Sequence, residues 1–311
     1  FYEWLWDIED EIRPYVPFVY YHVWDNKPYP TFNDKWYSST DVIATISKVT
    51  SDIVQTVSPH VEEKYIPHAV DSDVFKPIPE EKALHIKHES LPPQDHDKTI
   101  FFWNNRNARR KQSGTLIWWF KEFIDEVGHD KACLLMHTDA RDPHGQDLPH
   151  IIEHIGAGQG QIFLSTSKIA PEELASMYNA ADFTINISDA EGFGLATLES
   201  LSCATPIIVN MTGGLQEQVT DGSNWFGWGI QPSSQSVIGS LQVPYIYEDR
   251  ISQEDFSNCL DKALKLPKKR YAAMGEAGRA HVLENYNFEN YEKQWVQIID
   301  DFIEKHGSWE N

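Results

Sequence analysis

The sequence predicts an α/β protein built on doubly wound parallel sheets. The chain has 311 residues, a length that suggests about two domains of ~100–200 residues each. From residue 99 onward, short apolar runs alternate with longer runs of helical periodicity, which is the pattern of a parallel sheet covered by helices on both faces. Two of the apolar runs lead into a glycine-containing turn and a helix start, the place where open α/β sheets bind ligands.

The N-terminal part of the chain contains fewer of these units. Residues 1–13 are rich in aromatic and acidic side chains, and we predict a helix there. Apolar runs at 15–21 and 41–47 predict two strands, and a helix is expected to follow the second strand to about Val57. Prolines and charges are concentrated between residues 77 and 98, which is typical of a linker or an exposed excursion.

The C-terminal part is predicted to hold the larger sheet. Its strands are predicted at residues 99–103, 132–137, 161–165, 183–187 and 206–210, and its intervening helices at 114–127, 147–154, 171–181 and 195–203. Pro171 followed by two glutamates is a typical first helical turn. Three further helices are predicted near the end of the chain, at 253–264, 268–284 and 288–305.

Composition narrows the class of protein. Apolar residues make up 41% of the chain, and none of the apolar runs reaches the roughly 18 residues of a membrane-spanning helix. The net charge of −21 argues against nucleic acid and anionic membranes as partners. Three scattered cysteines do not suggest a disulfide framework, so we expect a reducing compartment and a cytoplasmic location. The sequence begins at Phe1, so a signal peptide is neither seen nor excluded.

The most informative segment runs from Glu191 to Glu199. It contains Gly192 and Gly194 at the point where a predicted strand turns into a helix. A helix N-terminus presents unpaired N–H groups and a partial positive charge, and glycine lets a ligand approach the backbone. Two carboxylates flanking such an anion cradle suit a ligand with both phosphate and hydroxyl groups, such as a nucleotide-sugar. An ordinary strand-to-helix turn with no ligand is the alternative interpretation.

Several segments together resemble one family. The Glu191 and Glu199 pair, the turns at Gly213-Gly214 and Asp221-Gly222, the segment 66–77 and the basic loop 105–111 are similar to retaining glycosyltransferases of family 4, which belong to glycosyl transferases group 1. This resemblance implies the GT-B fold, with two Rossmann-like doubly wound domains. It also implies that the N-terminal domain is incomplete here, because few residues precede the segment that crosses between domains.

The resemblance divides the chain into four parts. Residues 1–76 would form a partial N-terminal domain on the acceptor side, and 77–98 a linker. Residues 99–285 would form the C-terminal domain that binds the nucleotide-sugar. Residues 286–311 would form a C-terminal helix that packs back on the N-terminal domain.

The same resemblance assigns catalytic roles. Arg106 and Lys111 would neutralise the donor diphosphate, often in place of a metal. The neighbouring Arg109 and Arg110 leave the choice within this loop open, and a solvated basic loop is the alternative. Glu191 would contact the donor sugar near the reacting centre. His22 would also contact this sugar, although a structural hydrogen-bonding histidine fits the sequence equally well.

Other residues are assigned to donor binding. Glu199 would accept hydrogen bonds from the ribose hydroxyls, since a carboxylate is an acceptor only. The backbone of Phe193, Gly194 and Leu195 would face the sugar or the phosphate. Main-chain groups of Lys168 and Ile169 would contact the base, with an ordinary capped loop as the alternative. The histidines show no metal-ligand spacing, so no metal site is predicted.

The predicted function is that of a retaining glycosyltransferase. It would move a sugar from a nucleotide diphosphate sugar, linked to UDP or GDP, to a hydroxyl of a glycan, lipid or small-molecule acceptor, without a required cofactor. Two alternatives remain open on the sequence. One is a nucleotide-sugar epimerase or a phosphorylase of similar fold. The other is a non-catalytic nucleotide-sugar-binding protein, which the short N-terminal domain favours.

Overall fold

The computed structural model describes residues 3–307 and contains two parallel sheets. The strands are β1 Val19–His22, β2 Val42–Thr45, β3 Glu62–Tyr65, β4 Thr99–Asn104, β5 Ala132–His137, β6 Ile162–Ser165, β7 Phe183–Asn186, β8 Ile207–Asn210, β9 Gly227–Ile230, β10 Ser234–Ile238 and β11 Ile246–Arg250. The smaller sheet has the order β1-β2-β3, and the larger has the order β6-β5-β4-β7-β8-β9. We call residues 3–76, around the smaller sheet, the N-terminal lobe, and residues 99–285, around the larger sheet, the C-terminal lobe.

Helices connect the strands of both sheets. They are α1 Glu3–Asp7, α2 Glu9–Ile12, α3 Asp34–Ser38, α4 Lys48–Val57, α5 Glu80–Ser90, α6 Ser113–Val127, α7 Leu148–His154, α8 Pro171–Ala180, α9 Leu195–Ser202, α10 Leu215–Val219, α11 Gln253–Lys265, α12 Lys268–Asn285 and α13 Phe288–His306. Within residues 3–307, none of these helices has both the length and the apolar character needed to cross a bilayer.

The N-terminal lobe differs from the sequence prediction in three elements. The predicted helix 1–13 is two short helices, α1 and α2, and its first two residues lie outside the described ones. The predicted strand 15–21 begins only at Val19. Strand β3 was not predicted, because its residues Glu62–Tyr65 are charged and only half-buried. In contrast, every residue of the apolar strand β2 is buried, and α4 follows it with Ser47 accepting a cap hydrogen bond from the N–H of Thr50.

The segment 77–98, which we predicted as a linker, contains ordered structure. It forms helix α5 and a short 3₁₀ turn at Pro93–Asp95. Leu91 is buried here, and a buried ion pair joins Lys98 to Asp95 at 2.8 Å. The high density of charge therefore reflects one solvated helix face and one internal ion pair.

The central sheet of the C-terminal lobe confirms the predicted alternation of strands and helices. All five predicted strands are present and pair in parallel. Two features were missed: strand β9 at the edge of this sheet, and the antiparallel β10–β11 hairpin. Strand β10 is largely exposed and polar, so its sequence lacks the apolar signal that identified the central strands.

The C-terminal helix contacts the N-terminal lobe. Ile298 of α13 is buried against Val42 and Ala44 of β2, and Trp295 packs edge-on against the ring of Tyr21. Helix α13 follows the C-terminal lobe in the chain, so this contact joins the end of the chain to the N-terminal lobe.

The three cysteines are buried and free. They lie in the C-terminal lobe at Cys133, Cys203 and Cys259. Burial raises the pKa of Cys133 and of Cys203 to about 12, and it also raises the pKa of Cys259.

Candidate active site at the carboxyl ends of the strands

A cavity of about 470 Å³ lies between the two lobes. We call it the site cavity. The loop after β1, the loop after β4, the turn before α9 and the β10–β11 hairpin all contribute to its wall, with the side chains of Val23, Asp25, Arg109, Arg110, Glu191 and Glu248. The carboxyl ends of β1, β4 and β7 point toward it, which is where open α/β sheets bind ligands.

The turn before α9 has a backbone shape that depends on glycine. Gly194 has a φ of +96° and immediately precedes the helix. Gly213, with a φ of +49°, lies so close that a Cβ there would be 1.9 Å from the carbonyl oxygen of Glu191. The next residue, Gly214, donates its N–H to that same carbonyl at 3.0 Å. The two glycine turns are thus packed together, and this contact positions Glu191.

A buried ion pair dominates the electrostatics of the site. The ammonium of Lys111 contacts the carboxylate of Glu191, and both side chains are less than 10% exposed. The guanidinium of Arg110 lies 3.7 Å from the same carboxylate. Burial raises the pKa of Glu191, but the charges of Lys111 and Arg110 outweigh it, and the net shift is downward. Burial also lowers the pKa of Lys111, against the attraction of Glu191.

Asp25 is a site residue that sequence reasoning missed. It lies on the loop after β1, at the cavity wall, and its Cβ is near Gly213. Burial raises the pKa of Asp25 to about 6, with Arg110 opposing the shift and Glu191 adding to it. Its position directly after a strand that ends at the interlobe cleft was the available signal.

Glu199 lies inside α9 and does not line the site cavity. Its carboxylate accepts a hydrogen bond from the hydroxyl of Tyr178 at 2.8 Å, and that hydroxyl accepts one from the amide of Asn104 at 2.8 Å. Burial raises the pKa of Glu199 to about 7. A carboxyl group whose pKa is strongly raised by burial is a frequent feature of functional sites.

The backbone predicted to face a donor lies at the start of α9. The ring of Phe193 is buried between the rings of His68 and Tyr286, and Leu195 is 46% exposed. The first turn of a helix leaves N–H groups without intrahelical partners, so Gly194 and Leu195 offer donors at the cleft. Their predicted role in donor binding stays a prediction.

Three predicted site residues are not brought to the ion pair. Arg106 has a side chain that is 61% exposed, and it forms two hydrogen bonds to Asp142, at 2.6 and 3.2 Å. Lys168 is exposed and Ile169 half-buried on the loop after β6, and neither lines the site cavity. In this structure Arg110, rather than Arg106, is the arginine beside Glu191.

Arg109 connects the basic loop to the hairpin. Its guanidinium donates to both carboxylate oxygens of Glu248 on β11, one of them at 2.9 Å. The short 3₁₀ turn at Arg109–Lys111 separates the three basic side chains. It directs Arg109 to the hairpin and Lys111 to Glu191.

His22 belongs to a different part of the N-terminal lobe. It is 4% exposed, and its Nε2 lies 2.7 Å from the hydroxyl oxygen of Tyr37. Burial lowers the pKa of His22 to about 3, so the ring is neutral near pH 7. His22 lines a second cavity, together with Trp24, and not the site cavity. The structural alternative for His22 therefore fits its contacts, and its catalytic role stays a prediction.

The arrangement is suited to an anion that also carries hydroxyl groups. Arg110, Lys111 and the start of α9 supply positive charge and N–H donors. Glu191 and Asp25 supply hydrogen-bond acceptors in the same place. Within residues 3–307, we find no group of three or more His, Cys, Asp or Glu side chains that could hold a metal ion. That no metal is needed stays a prediction.

Comparisons with known proteins bear on this site. A family model described as "Glycosyl transferases group 1" matches residues 141–281. The chain is 30% identical over 183 residues to alpha-monoglucosyldiacylglycerol synthase of Streptococcus pneumoniae, which covers 58% of this chain and 40% of the relative. It is 24% identical over 270 residues to the GDP-mannose-dependent alpha-(1-6)-phosphatidylinositol monomannoside mannosyltransferase of Mycolicibacterium smegmatis, with 84% of this chain and 63% of the relative covered. The chain thus spans less than two thirds of the length of both relatives.

A solved structure shows the same architecture. HepE of Anabaena, in complex with UDP and glucose, superposes with a TM-score of 0.69 at 12% identity, over 91% of this chain and 71% of that one. At this identity the likeness concerns the fold alone. The matched segment 141–281 contains Glu191, Glu199 and both glycine turns. Residues 141–281 are therefore similar to glycosyl transferases group 1, and the chain has the α/β GT-B fold.

Proposed function

We propose that this chain transfers a sugar from a nucleoside diphosphate sugar, with UDP or GDP as the nucleotide, to a hydroxyl of a glycan, lipid or small-molecule acceptor. The observation that carries the proposal is the buried contact of Lys111 with Glu191, with Arg110 at 3.7 Å, beside the start of α9. Cations held at low solvent exposure in a cleft stabilise the charge that develops on a leaving diphosphate. The match of residues 141–281 to glycosyl transferases group 1 and the names of the relatives support the same reaction class.

In the proposed mechanism the diphosphate competes with Glu191 for the cations. The phosphate oxygens take contacts from Arg110, Lys111 and the N–H groups that begin α9. The Glu191 carboxylate then becomes free to accept hydrogen bonds from the donor sugar. Glu199, in its ionised form, accepts hydrogen bonds from the ribose hydroxyls.

We further propose that the reaction retains the anomeric configuration. The acceptor oxygen forms its bond to the anomeric carbon on the face from which the diphosphate departs. As the bond from that carbon to the phosphate oxygen breaks, the departing oxygen takes the acceptor's hydroxyl proton. The positive charges at the phosphate favour this step, and the proposal includes no metal ion.

Nucleotide binding is the first test of the proposed function. Thermal unfolding would be followed with UDP, GDP, UDP-glucose and GDP-mannose, on the unmodified chain and on Lys111→Met and Lys121→Met. A ligand at about 100 times its dissociation constant stabilises the folded state by about 2.7 kcal/mol. We expect one nucleotide to raise the midpoint in the unmodified chain and in Lys121→Met, whose lysine pairs with Asp125 on the surface of α6. The effect should be lost in Lys111→Met. If none of the four ligands raises the midpoint, the proposal fails.

Turnover tests the remaining parts of the proposal. With the nucleotide-sugar chosen by the binding experiment, the anomeric configuration of the product would be read by NMR before and after removal of metals with EDTA. We expect the donor configuration in the product and an unchanged rate with EDTA. An inverted product would contradict retention, and loss of the rate with EDTA would contradict the metal-free mechanism.

A further inference from the structure

Five residues form a closed ring of contacts beside the site cavity. We call them the anchor ring, and they are Arg109, Gln112, Asp189, Glu248 and Arg250. Glu248 accepts hydrogen bonds from Arg109, one at 2.9 Å, and from Arg250 at 3.0 Å. The guanidinium of Arg250 lies 3.3 Å from the carboxylate of Asp189, which accepts a hydrogen bond from the side-chain amide of Gln112. The N–H of Gln112 donates to the carbonyl of Arg109 at 3.2 Å, which closes the ring.

Both cations of the site lie in the turn whose two ends belong to the anchor ring. Arg110 and Lys111 follow one ring residue and precede the next, and their side chains reach Glu191. The backbone between the ring residues is also held, because the N–H of Asp189 donates to the carbonyl of Arg110 at 2.8 Å. The anchor ring thus fixes both ends of the segment that carries the two cations.

Gln112 has a backbone conformation that is unusual for its residue type. Its φ is +56° and its ψ is +33°, which is the left-handed region, and it connects the 3₁₀ turn to helix α6. A residue other than glycine stays in this region only where its surroundings hold it, and such strain is concentrated at functional sites. The side chain of Gln112 supplies such contacts, since it donates to Asp189 and accepts from the hydroxyl of Thr115 at 2.7 Å.

Glu248 holds the opposite side of the anchor ring. Its carboxylate is 2% exposed and lies between two guanidinium groups. Burial raises the pKa of Glu248, but the hydrogen bond and charge of Arg109 and the charge of Arg250 outweigh it, and the net shift is downward. A two-pronged contact between guanidinium and carboxylate fixes direction as well as distance. Arg109 is therefore held in one orientation although its side chain is 59% exposed.

The strand that carries Glu248 is itself attached to both lobes. The next residue, Asp249, donates its N–H to the carbonyl of Asp189 at 2.9 Å. The preceding residue, Tyr247, donates its N–H to the carbonyl of Lys27 in the N-terminal lobe at 2.6 Å. A group that orients a site must itself be held by its surroundings, and β11 meets this requirement.

We propose that Glu248 and Gln112 are positioning residues, which orient Lys111 and its neighbouring arginine toward the diphosphate of the donor. Both act through the backbone of the turn. Glu248 is negatively charged and already paired with two arginines, so it does not bind an anion itself. Gln112 is not among the residues that line the site cavity. The proposal rests on the proposed function, because the diphosphate is that of the proposed donor.

The test compares a nucleoside diphosphate with the nucleoside that lacks the phosphates. The pair is UDP with uridine or GDP with guanosine, chosen by which nucleotide stabilises the unmodified chain. Calorimetry measures the diphosphate and saturation-transfer NMR the weaker nucleoside, near pH 8, where Asp189 with its pKa of about 6 is ionised. We expect Glu248→Gln and Gln112→Gly each to weaken the diphosphate at least about tenfold and to change the nucleoside less than about twofold.

The two variants exclude simpler explanations. Charge alone predicts the opposite result for Glu248→Gln, because removing a carboxylate beside an anion site should tighten the binding of an anion. Gln112→Gly removes the side-chain contacts but keeps the backbone shape available, since glycine adopts a positive φ readily. The matched control is Glu276→Gln, on the exposed face of α12, which should change neither affinity.

The outcomes are separable from those of the proposed function. Unchanged or tighter binding of the diphosphate by Glu248→Gln and Gln112→Gly would overturn the positioning role. An equal loss of nucleoside binding would also overturn it, because general damage to the site would then explain both losses. Thermal unfolding without ligand shows whether each variant is folded, and Gln112→Gly decides if Glu248→Gln is not. Failure of the proposed function would instead appear as absence of nucleotide binding by the unmodified chain.

Discussion

Lys111 and Glu191 neutralise one another in a place that water barely reaches. Removing one member of such a pair leaves a buried charge without a full partner, which commonly costs about 3–5 kcal/mol. Arg110, at 3.7 Å from Glu191, compensates part of that loss. For Lys111→Met we therefore expect the free energy of unfolding to fall by about 3 kcal/mol, measured by urea denaturation.

The double variant Lys111→Met with Glu191→Gln provides the control. It removes both charges, so much of the lost stability should return, although nucleotide binding should not. A double variant that is as unstable as the sum of both single variants would show that the two charges do not interact.

Glu199 makes the stability depend on pH. Its folded-state pKa is raised to about 7, from an ordinary value of 4.5. Between these values the folded state binds more protons than the unfolded state, so the free energy of unfolding falls as pH rises and levels off above about pH 7. The shift corresponds to about 3 kcal/mol over this range.

The measurement is the difference between two pH profiles. Compared with Glu199→Gln, the unmodified chain should lose about 3 kcal/mol of stability between pH 4.5 and pH 7. Subtracting the profiles removes the contributions of Asp25 and Asp189, whose pKa values burial raises to about 6. Parallel profiles would mean that Glu199 does not carry the raised pKa.

At the residue scale, the sequence indicated which loops form the cleft but not all the contacts that their side chains make. The family resemblance singled out Glu191 and Lys111 through two separate segments, and these side chains contact each other. The pattern also favoured Arg106, which instead pairs with Asp142. Which arginine of a basic loop faces a cleft depends on the φ and ψ angles of a short 3₁₀ turn, and neighbouring arginines give no sequence signal for that choice.

At the element scale, the two glycine turns can pack together only if position 213 has no side chain, and this requirement can be tested. An alanine Cβ at Gly213 would lie 1.9 Å from the carbonyl oxygen of Glu191, a backbone atom that cannot move independently. Gly222 also has a positive φ, +95°, but its Cβ would meet no atom within 4 Å. We expect Gly222→Ala to lower the free energy of unfolding by about 1–2 kcal/mol, the strain of a left-handed backbone. Gly213→Ala should lower it by several kcal/mol more, by denaturant unfolding.

The same pair of variants separates strain from function. Gly213→Ala displaces the backbone of Glu191, so the stabilisation by nucleotide should also be lost, whereas Gly222→Ala should retain it. Equal destabilisation of the two variants would contradict the close packing of the glycine turns.

At the element scale, burial decided which elements could be predicted. Strands β4, β5, β7 and β8 are short apolar runs because both faces of their sheet are covered. Strand β3 has charged side chains and the β10–β11 hairpin is largely exposed, so neither presents an apolar run. The second cavity, which His22 and Trp24 line, was equally hidden, because its other residues come from α1, β1, α3 and the distant hairpin. Their proximity is a property of the fold and not of any local pattern.

Across the whole molecule, Glu217 joins the two lobes. It lies on α10 of the C-terminal lobe, and its carboxylate accepts hydrogen bonds from the N–H of Lys48 and from the hydroxyl of Tyr65, both at 2.7 Å. The N–H of Lys48 belongs to the start of α4, where a carboxylate is favoured by the helix dipole. The contact of Glu217 with the N-terminal lobe therefore combines a helix cap at Lys48 with a side-chain hydrogen bond to Tyr65.

Removing the Glu217 carboxylate should lower the free energy of unfolding and the cooperativity between the two lobes. Glu217→Ala leaves the N–H of Lys48 and the Tyr65 hydroxyl without their acceptor. We expect a loss of about 2–6 kcal/mol, from roughly 1–3 kcal/mol for each of the two unsatisfied groups. Calorimetry should show a lower and broader transition, as the lobes become less coupled. Glu276→Ala, on the exposed face of α12, should unfold like the unmodified chain. A Glu217→Ala variant with an unchanged transition would show that Glu217 does not couple the two lobes.

The burial of Cys133, Cys203 and Cys259 makes the chain convenient for site-specific labelling. Maleimides react with the thiolate, and buried thiols with raised pKa values form little of it. A cysteine introduced at Leu241, which is fully exposed at the tip of the hairpin, should therefore be modified alone, with all three native thiols kept in place. A fluorophore attached there would lie next to Gln242 and Val243, on the hairpin whose strands reach the site cavity. Its emission would follow, in real time, how the hairpin responds when a nucleotide-sugar binds and when the products leave.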